Sequence, residues 1–163
     1  MYKRLLTYLL IGLTFGIVIS TILYLTNSRG FVPKKLNDQI SFSVMHPGSN
    51  SRVRTDKSSI TYDPVQKYIS YTGKYDSQPL TISEQSTPQQ YIDIPEAFAR
   101  QMDQWHESST FISSVGTVHI TRPENKTYTA VLNERGTLVF VTSITPISNE
   151  DWRQIFRSMT FDS

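Results

Sequence analysis

The sequence predicts an α+β fold: one N-terminal transmembrane helix, then an antiparallel β-sheet domain with two amphipathic helices packed on it. Three observations carry this. Residues 5–25 form an uninterrupted uncharged stretch of 21 residues. Short segments of period-two alternation recur from residue 40 to residue 144, as expected of half-buried strands. Two segments, near residues 93–106 and 148–159, switch to helical periodicity.

The apolar stretch comes first. At about 1.5 Å per residue it reaches roughly 30 Å, the thickness of a bilayer's hydrocarbon core. A secretion signal has a shorter apolar region, about 7–15 residues, and a small-x-small cleavage site. "LYLTNSRG" offers no such site. The expectation is an uncleaved signal anchor; the alternative is a long signal cut near Asn27–Ser28. Lys3 and Arg4 precede the span, and Arg29, Lys34 and Lys35 follow it. The basic charges at the membrane edge and the very short N-terminal tail favour an N-inside orientation. The C-terminal domain then lies outside the cytoplasm. Gly12, Gly16 and Ser20, each four apart, share one helix face and form a candidate transmembrane dimer face for a homodimer.

The expected organisation is a tail and membrane helix over residues 1–26, a juxtamembrane linker over 27–38 and an extracytoplasmic domain over 39–163. Lys34 and Lys35 in the linker suit contact with anionic membrane lipid, at about 1 kcal/mol per charge near the surface. Five of the 16 basic residues fall in the first 35 positions, where there is no acid. From Leu36 onward 11 bases face 14 acids, a net charge of −3. The domain lacks the clustered bases of a nucleic-acid footprint, so no nucleic acid is expected as a partner. There is no cysteine, which excludes disulfides, thiolate metal sites and a lipid-carrying cysteine.

Along the domain, "ISFSV" (40–44) alternates as a strand, "HPGSNSRVRTDKS" reads as a surface loop, and "SITYD", "KYISYT" and "PLTISEQ" follow as strands, the last with Leu80 and Ile82 inward. In "DIPEAFARQMDQWH", Ile94, Phe98, Met102 and Trp105 form one helical stripe, with Pro95 in the first turn and Glu96 at the positive dipole end. "TFISSV", "TVHIT", "TYTAVL" and "TLVFVTSI" are further strands. "NERG" supplies the hairpin turn before the last, and Gly136 suits positive φ there. Leu138, Val139, Phe140 and Val141 are all apolar, which marks a strand covered on both faces. "SNEDWRQIFRSM" ends the chain as a helix capped by Ser148, with Trp152, Ile155, Phe156 and Met159 on one face. Residues 68–88 and 128–146 echo each other as strand, turn, strand and Pro leading into a helix, which suits an α+β layout.

"PLTISEQSTP", "GTVHI", "AVLNERGTLVFVTS" and "EDWRQIFRSM" together resemble a type of bacterial extracytoplasmic domain of unknown function. Such domains occur behind a transmembrane helix, some as C-terminal parts of anti-sigma-like or sporulation-related membrane proteins. The resemblance covers about residues 58–160. It departs from the pattern in lacking a tryptophan early in the penultimate strand. It implies an envelope domain and carries over no catalytic residue.

No HExxH, GxSxG, Walker or GxGxxG stretch occurs. The histidines are scattered. His46 precedes Pro47, His119 points to the face opposite Val118 and Ile120, and His106 lies one turn after Asp103. Two ligands make no catalytic zinc site, so no catalytic residue, cofactor or metal is expected. The candidate binding surface comprises the basic loop Arg52, Arg54 and Lys57 with Tyr68 and Tyr71 from a tyrosine-dense stretch. The expectation is a non-catalytic, membrane-anchored interaction domain that meets an envelope protein partner. The alternatives are an envelope hydrolase using acid and base groups from separated loops, and a tethered domain facing the cytoplasm.

Overall fold

The computed structural model describes residues 30–121 and 127–162. The apolar stretch 5–25, with Gly12, Gly16 and Ser20, lies outside the described residues. Among the described residues no helix is long and apolar enough to cross a membrane.

Period-two alternation builds the main sheet. Its strands are β2 (Val53–Thr55), β3 (Thr61–Asp63), β4 (Tyr68–Tyr75), β5 (Gln78–Ser86), β6 (Glu107–Ser113), β7 (Gly116–Thr121), β8 (Tyr128–Glu134) and β9 (Thr137–Ser143). The order is β2-β4-β5-β9-β8-β7-β6, antiparallel throughout, with β3 beside β2 on the outer edge of β4. β8 and β9 are interior strands, which explains why both their faces are apolar: Ala130, Val131, Leu132, Leu138, Val139 and Val141 are all buried. Arg135 and Gly136 turn the hairpin between them with φ 53° and 75°, the left-handed pair a two-residue turn requires.

One helix covers each face. α4 (Asn149–Arg157) lays Trp152, Ile155 and Phe156, all fully buried, on Ile69, Leu80, Ile82, Val118, Leu132 and Val139. Burial of each such side chain contributes about 1.5–3 kcal/mol. Ser148 caps α4: its Oγ accepts the Asp151 N–H at 3.1 Å and donates to Asp151 Oδ2 at 2.6 Å. On the other face, α3 (Pro95–Gln104) sets Met102 and Phe98, followed by Trp105, against Val131, Leu138 and Phe140. The two hairpin-plus-helix units of the sequence thus send their helices to opposite sides of one sheet.

Several details differ from the sequence reading. Residues 40–44 keep their alternation, with Ile40 and Phe42 half-buried and Val44 buried, but join no ladder. The strand comes just after, as β1 (Met45–Pro47), and pairs with β10 (Met159–Phe161) in a small second sheet on the α4 side. Met159 therefore belongs to a strand; the helix stops at Ser158. A short helix, α2 (Gln89–Asp93), precedes α3. Ile94 joins them in a non-helical conformation (φ −132°, ψ 84°), so it leaves the stripe and is 49% exposed. Part of the expected linker, residues 27–38, packs on the domain. Phe31 and Val32 are buried in the main core, and residues Lys34–Asn37 form a helical turn, α1.

Candidate functional site

Two places in the fold depart from what packing alone demands. The first is a buried carboxyl. In β5 the inward positions are Leu80, Ile82 and Glu84, and Glu84 is only 1% exposed. Its register neighbours are Ile69 on β4 and Val139 on β9, both apolar. Glu84 Oε2 accepts the Met45 N–H at 2.7 Å, and Oε1 lies 3.0 Å from the Tyr71 hydroxyl. That hydroxyl also donates to the Met45 carbonyl. Burial pushes the Glu84 carboxyl up to about 8; Met45 and Tyr71 oppose this and the nearby Asp162 charge adds to it. Burial, then Glu84, also hold the Tyr71 phenol well above its ordinary range. Next to this cluster, His46 Nε2 meets Asp162 Oδ1 at 2.8 Å. Phe31 stacks on His46 at 5.1 Å and meets Tyr71 edge-on at 4.9 Å.

The second place is the α3 side of the sheet. α3 covers its β8–β9 half and leaves the β4–β5 half open. One cross-strand row there consists of Thr72, Thr81, Thr142, Thr129 and Thr121, directly opposite one another across β4, β5, β9, β8 and β7. Thr72 and Thr81 are exposed, whereas Thr129 and Thr121 are buried. Such pairs suit a solvated sheet. The next row starts Ser70, Ser83, Phe140. At the margin Arg54 on β2 lies directly opposite Lys74 on β4, both exposed. Among the described residues neither makes an ion pair. Like charges in this position are destabilising.

The sequence-predicted residues do not gather into one surface. Arg54 and Tyr68 share the open face. Tyr71, two residues after Ile69, alternates inward and is 1% exposed, so it belongs to the Glu84 cluster instead. Arg52 is engaged: its Nη2 donates to Asp76 Oδ2 at 2.6 Å and its guanidinium lies 5.1 Å from the Tyr75 ring centroid. The Asp76 hydrogen bond, then its charge, raises the Arg52 pKa. Tyr75 in turn donates to Asp151 at 3.1 Å. Lys57 is exposed in a 3₁₀ turn (Lys57–Ser59) started by Asp56, whose side chain accepts from Ser58 N–H.

Asp103 and His106 share only a backbone hydrogen bond, from His106 N–H to the Asp103 carbonyl at 3.1 Å. Besides His46, His119 also meets a carboxylate: its Nδ1 lies 2.8 Å from Glu107 Oε2, with the Phe98 ring 5.3 Å away. Burial alone would raise the Glu107 carboxyl, but hydrogen bonds from Thr110 and His119 and the His119 charge together lower it. This arrangement orients an imidazole. Among the described residues no group of three or more His, Cys, Asp or Glu is placed to hold a metal ion.

Glu84, Lys74 and the threonine row were absent from the sequence reading. The signal for Glu84 was present: in "PLTISEQ" the same alternation that turns Leu80 and Ile82 inward turns Glu84 inward. The threonine row has no such signal, since it depends on register between strands far apart in the chain. No family model, curated protein or solved structure matches this chain.

Proposed function

We propose that this protein is a single-pass, membrane-anchored module whose α+β domain is held outside the cytoplasm and acts by binding an envelope protein, without catalysis. The apolar stretch 5–25 supports the anchor. Burial of Phe31 and Val32 supports a short tether, because the domain core begins six residues after the stretch ends. The chain enters on the α4 side, and the open half of the sheet faces the other way.

The observation that carries the binding reading is the Arg54–Lys74 pair beside exposed Thr72 and Thr81. Two unpartnered cations facing each other cost stability. An acidic surface on a partner protein converts that cost into attraction and steers association. The test is a photo-crosslinking residue at Thr81 of the full-length chain in its native membrane. The reading expects one discrete crosslinked protein, lost when Arg54 and Lys74 are both changed to Glu. A crosslink unaffected by that charge reversal, or no crosslinked protein, overturns it; a shift to anionic glycan instead of protein overturns the choice of partner.

A further inference from the structure

Hydrogen counting at Glu84 leads beyond the binding reading. The Met45 N–H donates to Glu84 Oε2. The Tyr71 hydroxyl contacts both the Met45 carbonyl and Glu84 Oε1. A carbonyl can only accept, and a phenol has one hydrogen. The Tyr71 hydrogen therefore goes to Met45, and the remaining contact needs a hydrogen from the carboxyl. We infer that Glu84 is held as the protonated acid, and that its proton closes a ring of hydrogen bonds latching β1 and the entering chain onto the sheet. Without that proton a carboxylate and a carbonyl compete for one hydrogen in a dry core, and β1 is released more readily.

Burial and the Asp162 charge favour the acid and outweigh the Met45 and Tyr71 hydrogen bonds, which favour the charged form. β4 supplies Tyr71, which stays neutral. The β1–β10 sheet supplies His46, paired with Asp162. The Asp162 charge favours retention of the Glu84 proton. β9 supplies apolar Val139. Phe31, stacked on His46 and edge-on to Tyr71, connects the latch to the chain arriving from residues 1–29. The latch is a conformational device of the fold, independent of what the open face binds.

The sign is defined. Burial pushes the closed-state carboxyl up to about 8 against an ordinary value of 4.5. Between those values the closed state holds the extra proton, so opening rises about tenfold per pH unit and levels off above the upper one. The latch tightens in acid.

The test uses the full-length chain in detergent micelles. Amide exchange at Met45 and His46 is measured at two pH values two units apart, 5.5 and 7.5, chosen as experimental conditions on the order of the titration window. Each rate is divided by that of an unprotected amide at the same pH, so that only opening is compared. Glu84→Gln keeps an acceptor oxygen and a donor group, with one hydrogen more than the acid, and cannot titrate. Wild type should open about 100-fold more at the higher pH, and E84Q by no more than about threefold. Wild type and E84Q tracking each other overturns the inference. If E84Q does not accumulate, infrared spectroscopy of the wild-type chain with labelled glutamate decides it. A protonated-acid band at neutral pH that disappears in alkali supports the latch, and carboxylate bands alone overturn it.

Discussion

Replacing Glu84 with Gln should flatten the pH dependence of global stability. The wild-type carboxyl has its folded-state pKa raised to about 8 from 4.5. Over that window the folded state binds more protons than the unfolded chain. Stability is therefore fully present below the lower value, falls as pH rises, and reaches its floor above the upper one. At about 1.4 kcal/mol per pKa unit, the full window is worth on the order of 5 kcal/mol. That is a large fraction of the 5–15 kcal/mol by which domains of this kind exceed their unfolded state, roughly speaking. A two-unit rise within the window should cost wild type about 2–3 kcal/mol and E84Q a few tenths. The assay is urea denaturation of both chains in the same micelles at mildly acidic and mildly alkaline pH, read by tryptophan fluorescence. Equal slopes of stability against pH in the two chains would refute the reasoning, as would a wild type that gains stability across the window.

Other predictions follow from the packing. Trp152→Ala should cost about 3–5 kcal/mol by denaturant titration, since Trp152 is fully buried under α4. Trp152→Phe should cost clearly less than Ala, because it keeps an aromatic ring in the core while, like Ala, removing a buried indole N–H that has no partner among the described residues. Gly116→Ala should cost about 2 kcal/mol or more. Its φ is +130°, and an added Cβ would stand 2.7 Å from the Glu134 carboxylate and 3.1 Å from Leu132 Cδ1. Arg52→Ala should leave the thermal midpoint almost unchanged, because its partner Asp76 and Arg52 itself are 54% and 60% exposed and solvent screens the pair.

Local periodicity carried most of the fold. Leu138, Val139, Phe140 and Val141 read as a strand covered on both faces, and β9 is indeed interior; Trp152, Ile155 and Phe156 read as one helix face, and that face packs on the sheet. What periodicity could not supply was partnership. Residues 40–44 have a strand's alternation but pair with no strand, while Met45–Pro47 gains a partner only because β10 arrives from the far end of the chain. The same limit applies to the sites. Arg52, Arg54 and Lys57 are neighbours in sequence, yet Asp76 claims Arg52, β2 turns Arg54 to the open face, and Lys57 sits in a separate turn. Tyr68 and Tyr71 differ by an odd number of strand positions and so point to opposite faces. Arg54 meets Lys74, and Thr72 meets Thr81 and Thr142, through register that only the assembled sheet defines.

The proposed anchored, outward-facing placement of the domain is tested most directly by a single cysteine at exposed Thr81 in a chain that otherwise has none. A membrane-impermeant maleimide applied to intact cells should label it, with the labelled full-length chain remaining in the membrane pellet after an alkaline wash. Labelling only after lysis, or a labelled chain released into the soluble fraction, would contradict the account.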